Sequence, residues 1–130
     1  MKVNHIGYLV KHFEKSKKSF LNLGYKVISE DTHDQIRHVD ICFLEKDHYV
    51  IELVSPYDKE SVVAGMLKKY KNMPYHICYE VDDLDQAIEE LESVGYAAIG
   101  EPECAPAFDN RKVIFLMNAN SGMIELLESN

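Results

Sequence analysis

The apolar positions of this chain change period several times. Over residues 4–10 they alternate: Ile6, Tyr8 and Val10 share one face, and His5, Gly7 and Leu9 share the other. That is the period of a strand. Over residues 13–23 the spacing becomes helical, with Phe13, Phe20 and Leu21 on a stripe and Gly24 as the stop. Three further strands are predicted at 25–29, 37–44 and 48–55, the second with Val39, Ile41 and Phe43 on one face. Ser55-Pro56 ends the run.

The same order then recurs. Residues 75–81 alternate, and Asp83 caps a helix with Gln86 as its capping-box partner. Leu84, Ala87, Ile88 and Leu91 form the apolar stripe, and Gly95 ends it. Strands at 96–99, 111–117 and 123–128 follow, the last two joined by a polar turn at 118–122. A connector at 57–73 carries one more helix, about 61–70, between Pro56 and Pro74. Residues 100–110 hold two prolines and no regular period, and read as a surface loop with a mobile flap as the functional alternative.

Each half is thus strand-helix-strand-strand-strand, and short identities fix the register between the halves. Ile-Glu-Leu occurs at 51–53 and again at 124–126, each with a His-Ile upstream. His5 precedes Glu52 by 47 positions, and His76 precedes Glu125 by 49. Leu23-Gly24-Tyr25 matches Val94-Gly95-Tyr96, with each glycine 19 residues after its histidine. The chain is one module written twice, at about 3–56 and 74–128, within a single domain of 130 residues. The expected fold is α+β: two βαβββ modules related by a pseudo-twofold axis, forming a curved eight-stranded mixed sheet with helices outside.

In both first strands the large apolar residues (Ile6, Tyr8, Val10 and Ile77, Tyr79, Val81) lie opposite the histidine. In both last strands Ile and Leu flank the glutamate. His5, Glu52, His76 and Glu125 are therefore expected to point away from the helices, into a shared concave cup. Alone, a strand histidine is usually a satisfied polar group and a lone glutamate faces water. Four in repeat register suggest more. Two imidazoles and two carboxylates suit one borderline divalent ion such as Ni, Co, Zn, Mn or Fe. With no thiolate in the set, a closed structural zinc site is not indicated. Two positions would stay open on a six-coordinate ion, enough for a chelating substrate. His12, His33 and His48 have no symmetric counterpart and read as surface or turn residues.

Bulk composition narrows the partners. Hydrophobic residues make up 46% and charged ones 28%, as in an ordinary soluble globule. A net charge of −8 argues against nucleic acid. Lysines do gather at Lys15, Lys17, Lys18 and at Lys68, Lys69, Lys71, which reads as solvated helix faces, with a phosphate-bearing ligand tail as the less favoured alternative. No apolar run is long enough to span a bilayer. Three cysteines with no Cys-x-x-Cys motif make a disulfide framework improbable and point to the cytoplasm.

The stretches His5-Ile-Gly-Tyr-Leu-Val, Asn22-Leu-Gly-Tyr, Ile51-Glu-Leu-Val-Ser-Pro, Pro74-Tyr-His-Ile-Cys-Tyr-Glu-Val-Asp-Asp and Ile124-Glu-Leu-Leu-Glu resemble the vicinal oxygen chelate superfamily. That superfamily includes glyoxalase I, methylmalonyl-CoA epimerase, extradiol dioxygenases and bleomycin-resistance proteins. The resemblance covers essentially the whole chain. It implies that His5, Glu52, His76 and Glu125 occupy the four metal-ligand positions. Glutamate at 52 is similar to bacterial glyoxalases, whereas epimerases often have glutamine there. The Ser55-Pro56 ending, the short connector and the stretch after Pro74 look more like the epimerase branch, and no counterpart of the glutathione-anchoring arginine of glyoxalase I is evident.

Asp40, opposite Val39, Ile41 and Phe43 along its strand, is expected to point into the cup, while the repeat places Lys112 at the equivalent position. By resemblance to the epimerases, Asp40 and Glu125 would be the two acid/base groups on opposite faces of a carbon acid; the plainer reading pairs Asp40 with Arg37 or Lys112. Cys78 and Glu80 share the His76 face, Cys78 as a small buried residue. Arg111 and Lys112 border the 100–110 loop, either as a solvated pair or placed to meet a substrate anion. The expected activity is a metal-dependent isomerase acting by proton transfer beside a metal-bound carbonyl, on an acyl-CoA thioester. Glyoxalase I-type isomerisation of a hemithioacetal is the alternative, and non-catalytic binding of a small molecule, as in the resistance proteins, is a third reading. A homodimer is an arrangement open to it, because half-sheets of this kind pair within or between chains.

Overall fold

The structure is a computed structural model that describes all residues, 1–130. It divides into two compact units: residues 6–75, and residues 76–130 together with the first five. Strand β1 (Lys2–Leu9) runs through the division. None of the helices is long and apolar enough to cross a membrane.

In the unit of residues 6–75, β1 is followed by α1 (Phe13–Asn22), β2 (Lys26–Val27), β3 (Thr32–Asp34), β4 (Val39–Lys46), β5 (Tyr49–Pro56) and α2 (Ala64–Tyr70). The strand order is β2-β4-β5-β1, with β3 also on β4. β1 and β5 are parallel and β4–β5 is an antiparallel hairpin. Alternation dictates which face is packed. Val10, Cys42, Leu44, Ile51 and Leu53 form a buried cluster, against which Ile6, Tyr8, Phe13, Phe20 and Tyr25 lie. Phe20 meets Tyr8 and Tyr25 edge to face, at 5.1 and 5.3 Å between ring centres, an arrangement that aromatic quadrupoles favour.

The other unit repeats this plan with β6 (Met73–Val81), α3 (Leu84–Glu92), β7 (Ala97–Ala105), a 3₁₀ turn (Pro106–Phe108), β8 (Arg111–Asn118) and β9 (Gly122–Glu128). Its strand order is β6-β9-β8-β7, and β6–β9 is parallel. The core holds Val81, Leu84, Ala87, Ile114, Leu116, Ile124 and Leu126. The duplication extends to register: Glu52 faces Gly7, two residues after His5, and Glu125 faces Cys78, two residues after His76. Gly24 and Gly95 end the paired helices with φ of +101° and +104°, a left-handed conformation that residues with a Cβ avoid.

Four expectations change. The strands number nine rather than eight. β3 escapes a pattern reading because Thr32-His33-Asp34 has no apolar alternation. Its Asp34 is nonetheless buried, accepting hydrogen bonds from Ile36 N, Arg37 N and Arg37 Nη1 at 2.9–3.0 Å. Residues 100–110 are not an irregular loop. β7 runs on to Ala105 across a register shift between Ile99 and Glu103, and Phe108 is buried. A bulge breaks the period of two that the eye seeks in a strand. The connector helix starts at Ala64, three residues later than its sequence suggested. The capping box at α3 is half formed: Asp83 Oδ1 accepts from Gln86 N at 3.0 Å, while the Gln86 amide donates to Glu90 instead.

Replacement of Asp83 by Ala removes the cap acceptor and should destabilise the protein by about 1 kcal/mol, read as a lower urea midpoint with unchanged slope. The cysteines give a second check. Burial pushes the Cys42 thiol up to about 11, and Cys78 is buried, whereas Cys104 is exposed. Native protein treated with a thiol alkylator near neutral pH should be modified at Cys104 alone; mass spectrometry showing early labelling at Cys42 would contradict this packing.

Candidate metal centre

His5, His76 and Glu125 meet in one unit, on the side of the sheet away from α3. His5 Nε2 and His76 Nε2 are 3.2 Å apart. Each lies 3.3 Å from Glu125 Oε1. All three residues are buried, at 1%, 4% and 5% exposure. Strand register places them. Glu125 sits opposite Cys78 on β6 and opposite Phe115 on β8, so His76, Cys78 and Phe115 share its face.

The surroundings orient the rings. Asn4 Oδ1 lies 2.8 Å from His5 Nδ1. With the amide oxygen accepting from Nδ1–H, the tautomer leaves a lone pair on Nε2, the arrangement that outer partners impose on ligating histidines. Phe108 stacks on the His5 ring, 5.5 Å between centres and 18° between planes. Phe115 meets His76 edge to face at 5.1 Å. Neither phenylalanine was singled out in sequence. Phe115 could have been found by parity along β8, but Phe108 lies in a stretch without period.

The donor set fits a metal ion. Glu125 Oε1 is buried without a hydrogen bond of proper geometry, although two imidazole nitrogens face it. Two imidazole nitrogens and a carboxylate oxygen converging in a dry site form a donor set that a divalent cation would satisfy. Ligands ~2.1 Å from one ion stand roughly 3.0 Å apart in octahedral and 3.4 Å apart in tetrahedral geometry, a range that contains all three distances here. Burial by itself pushes the Glu125 carboxyl up. The His5 and His76 rings beside it pull harder in the other direction, holding it well below the usual carboxylate range. It is ionised throughout the neutral range, as a ligand must be.

Glu52, expected as the fourth ligand, belongs to the other unit. It is buried at 4% exposure on β5, with Phe43 as its cross-strand neighbour, on the face not packed by α1.

Asp40 does not fulfil its expected placement. It pairs across the hairpin with Ser55 and shares the parity of Cys42 and Leu44, which pack on the α1 side. The face of β4 that Glu52 shares carries Val39, Ile41 and Phe43. The error came from taking that apolar trio as the helix-packed face: both faces of β4 are buried, so hydrophobicity alone could not tell them apart. Asp40 instead meets His33 Nδ1 at 2.7 Å, and Arg37 binds Asp34. Lys112 likewise shares the parity of Ile114 and Leu116, the face packed by α3. Arg111 buttresses the site, donating to Glu80 Oε1 at 3.1 Å and lying over the Phe108 ring.

Over 128 residues the chain is 28% identical to human methylmalonyl-CoA epimerase, mitochondrial, covering 96% of this chain and 72% of that protein. It is 27% identical to the ethylmalonyl-CoA/methylmalonyl-CoA epimerase of Cereibacter sphaeroides, covering 96% of each. A hypothetical protein from Bacillus halodurans superposes with a TM-score of 0.87 at 27% identity, over 99% of this chain and 94% of that one. Methylmalonyl-CoA epimerase from Mycobacterium tuberculosis shares the fold at a TM-score of 0.85 and 22% identity, over 99% and 88%. The family model for the glyoxalase/bleomycin resistance protein/dioxygenase superfamily matches residues 4–115, and the chain belongs to that superfamily.

Proposed function

We propose that this protein is a divalent-metal-dependent isomerase that moves a proton on the carbon next to a thioester carbonyl, with chemistry like that of methylmalonyl-CoA epimerase. The observation that carries this is the triangle of His5 Nε2, His76 Nε2 and Glu125 Oε1, with sides of 3.2–3.3 Å. The near full-length epimerase relatives support the substrate class. Glu52 is proposed as the fourth ligand because it repeats Glu125 in sequence, in register and in burial.

A bound divalent ion would supply Lewis-acid polarisation of the substrate carbonyl, making the adjacent C–H more acidic. The chain's own groups do the rest. His5 and His76 donate neutral nitrogen, and Asn4 keeps the His5 ring turned for that task. Phe108 and Phe115 wall the centre with apolar surface, which strengthens electrostatic interactions inside it. Glu125 is the ionised carboxylate proposed to accept the proton on one face of that carbon.

The placement of Asp40 favours a second reading. Epimerisation needs proton transfer on two faces of one carbon, whereas a 1,2-shift along one face of a hemithioacetal needs a single base. Glu125 alone would serve the latter, and a carboxylate at 52 matches that branch by resemblance.

Three outcomes are expected. Metal-loaded protein in D₂O should place deuterium at C2 of 2-methylmalonyl-CoA, followed by NMR, and Glu125→Gln should slow the exchange by about 10²–10⁴-fold. Absence of exchange by the metal-loaded wild type, together with turnover of methylglyoxal plus thiol, would transfer the assignment to the second reading. Asn4→Ala should weaken metal binding by about 10–100-fold without unfolding the chain, measured by competition with a chromogenic chelator. Zinc, nickel or cobalt at about 1,000 times its dissociation constant should stabilise the fold by roughly 4 kcal/mol, seen as a higher melting temperature that His76→Ala abolishes.

A further inference from the structure

A cleft of about 470 Å³ lies within the unit of residues 6–75. Its charge runs against that of the molecule. The chain has a net charge of −8, yet Lys11, Lys59, Lys68 and Lys71 all line this one cleft. They come from separate elements: the turn after β1, the segment before α2, and the last turn and end of α2. None of these four ammonium groups forms an ion pair, in a protein where Lys17 and Arg37 both do. The acid in the cleft, Asp58, is already engaged by His38 Nδ1 and by Glu60 N, each at 2.9 Å.

The scaffold beneath the lysines is held in place. The Lys11 backbone is pinned on both sides, its N–H donating to Asn72 Oδ1 at 3.0 Å and its carbonyl accepting from Ser55 Oγ at 3.1 Å. Tyr57, on the wall, is stacked between His33 and His38, with ring centres at 4.3 and 5.4 Å. Leu67 and Ala64 add apolar wall. Four exposed lysines around one cleft, with its acid already engaged, present net positive charge to an incoming anion. Lysine suits phosphate as a point charge.

We infer that this cleft binds a nucleotide-like anion carrying more than one phosphate, with the lysines on the phosphates and Tyr57, Leu67 and Ala64 against the organic part. Two sources offer that chemistry: the nucleotide end of an acyl-CoA substrate, or a free nucleotide acting as a regulator. The first rests on the function proposed above; the second does not.

The test uses the full-length chain and the double substitution Lys68→Gln/Lys71→Gln, which alters exposed side chains only. Adenosine 3′,5′-bisphosphate, titrated calorimetrically, should bind the wild type about tenfold more tightly than the double variant, with affinity falling as salt rises, while adenosine shows no such difference. A substrate-tail site predicts that the double variant raises KM for the CoA thioester about tenfold, leaves kcat unchanged, and leaves the pantetheine thioester unaffected. Bisphosphate binding that depends on the lysines, with no KM effect, assigns the cleft to a free nucleotide. Equal bisphosphate affinity in wild type and variant, or no binding, overturns the inference. Deuterium exchange on the CoA thioester in that case would leave the proposed function standing, and lysine-dependent binding without exchange would leave only the cleft.

Discussion

A carboxylate buried beside two imidazole nitrogens is the constraint on which the rest of the candidate centre depends. Glu125 has lost its water, and its two neighbours at 3.3 Å offer no well-formed hydrogen bond. An uncompensated charge in such a place is strongly destabilising. Positive charge beside the carboxylate compensates it, so a cation bound among the three atoms would favour the arrangement. The Asn4 contact to His5, the stacked Phe108 and the edge-on Phe115 all act on ring orientation. They reduce the reorganisation that a metal would otherwise have to drive.

Strand pairing delivers these groups because side chains alternate with a period of two. A slip of one residue between β6 and β9 would turn Glu125 toward the α3 core and Leu126 into the centre. The parallel registers Gly7–Glu52 and Cys78–Glu125 are therefore chemical as well as structural features. The same rule disposes of Asp40, whose parity carries it toward α1 and into partnership with His33. Duplication thus repeats the histidine and glutamate positions in register, while the lysine-lined cleft of the unit 6–75 has no counterpart in the repeat.

Much of this was readable before any coordinates. The repeat of His-Ile and Ile-Glu-Leu placed three residues that do meet, and Gly24 and Gly95 end their helices as their spacing implied. What escaped has physical reasons. β3 is polar and earns its burial through Asp34 hydrogen bonds, which leave no periodic trace. The bulge in β7 disguised the second part of a nine-residue strand as a loop and hid Phe108, an aromatic wall of the centre. In β4 both faces are apolar, so parity was legible but its sign was not; only the hairpin partners of Phe43 and Cys42 reveal which side faces α1.

The division of the chain into units also orders events in time. His5 joins a unit whose other members begin 71 residues later, at His76. During vectorial synthesis every strand of the unit 6–75 leaves the ribosome before Glu125 does, and domains tend to fold as their segments emerge. The first histidine must then wait for partners at least 71 residues further along the chain, a separation whose closure entropy slows their meeting. Metal capture would be among the last events of maturation, taking whichever ion the compartment holds at that moment.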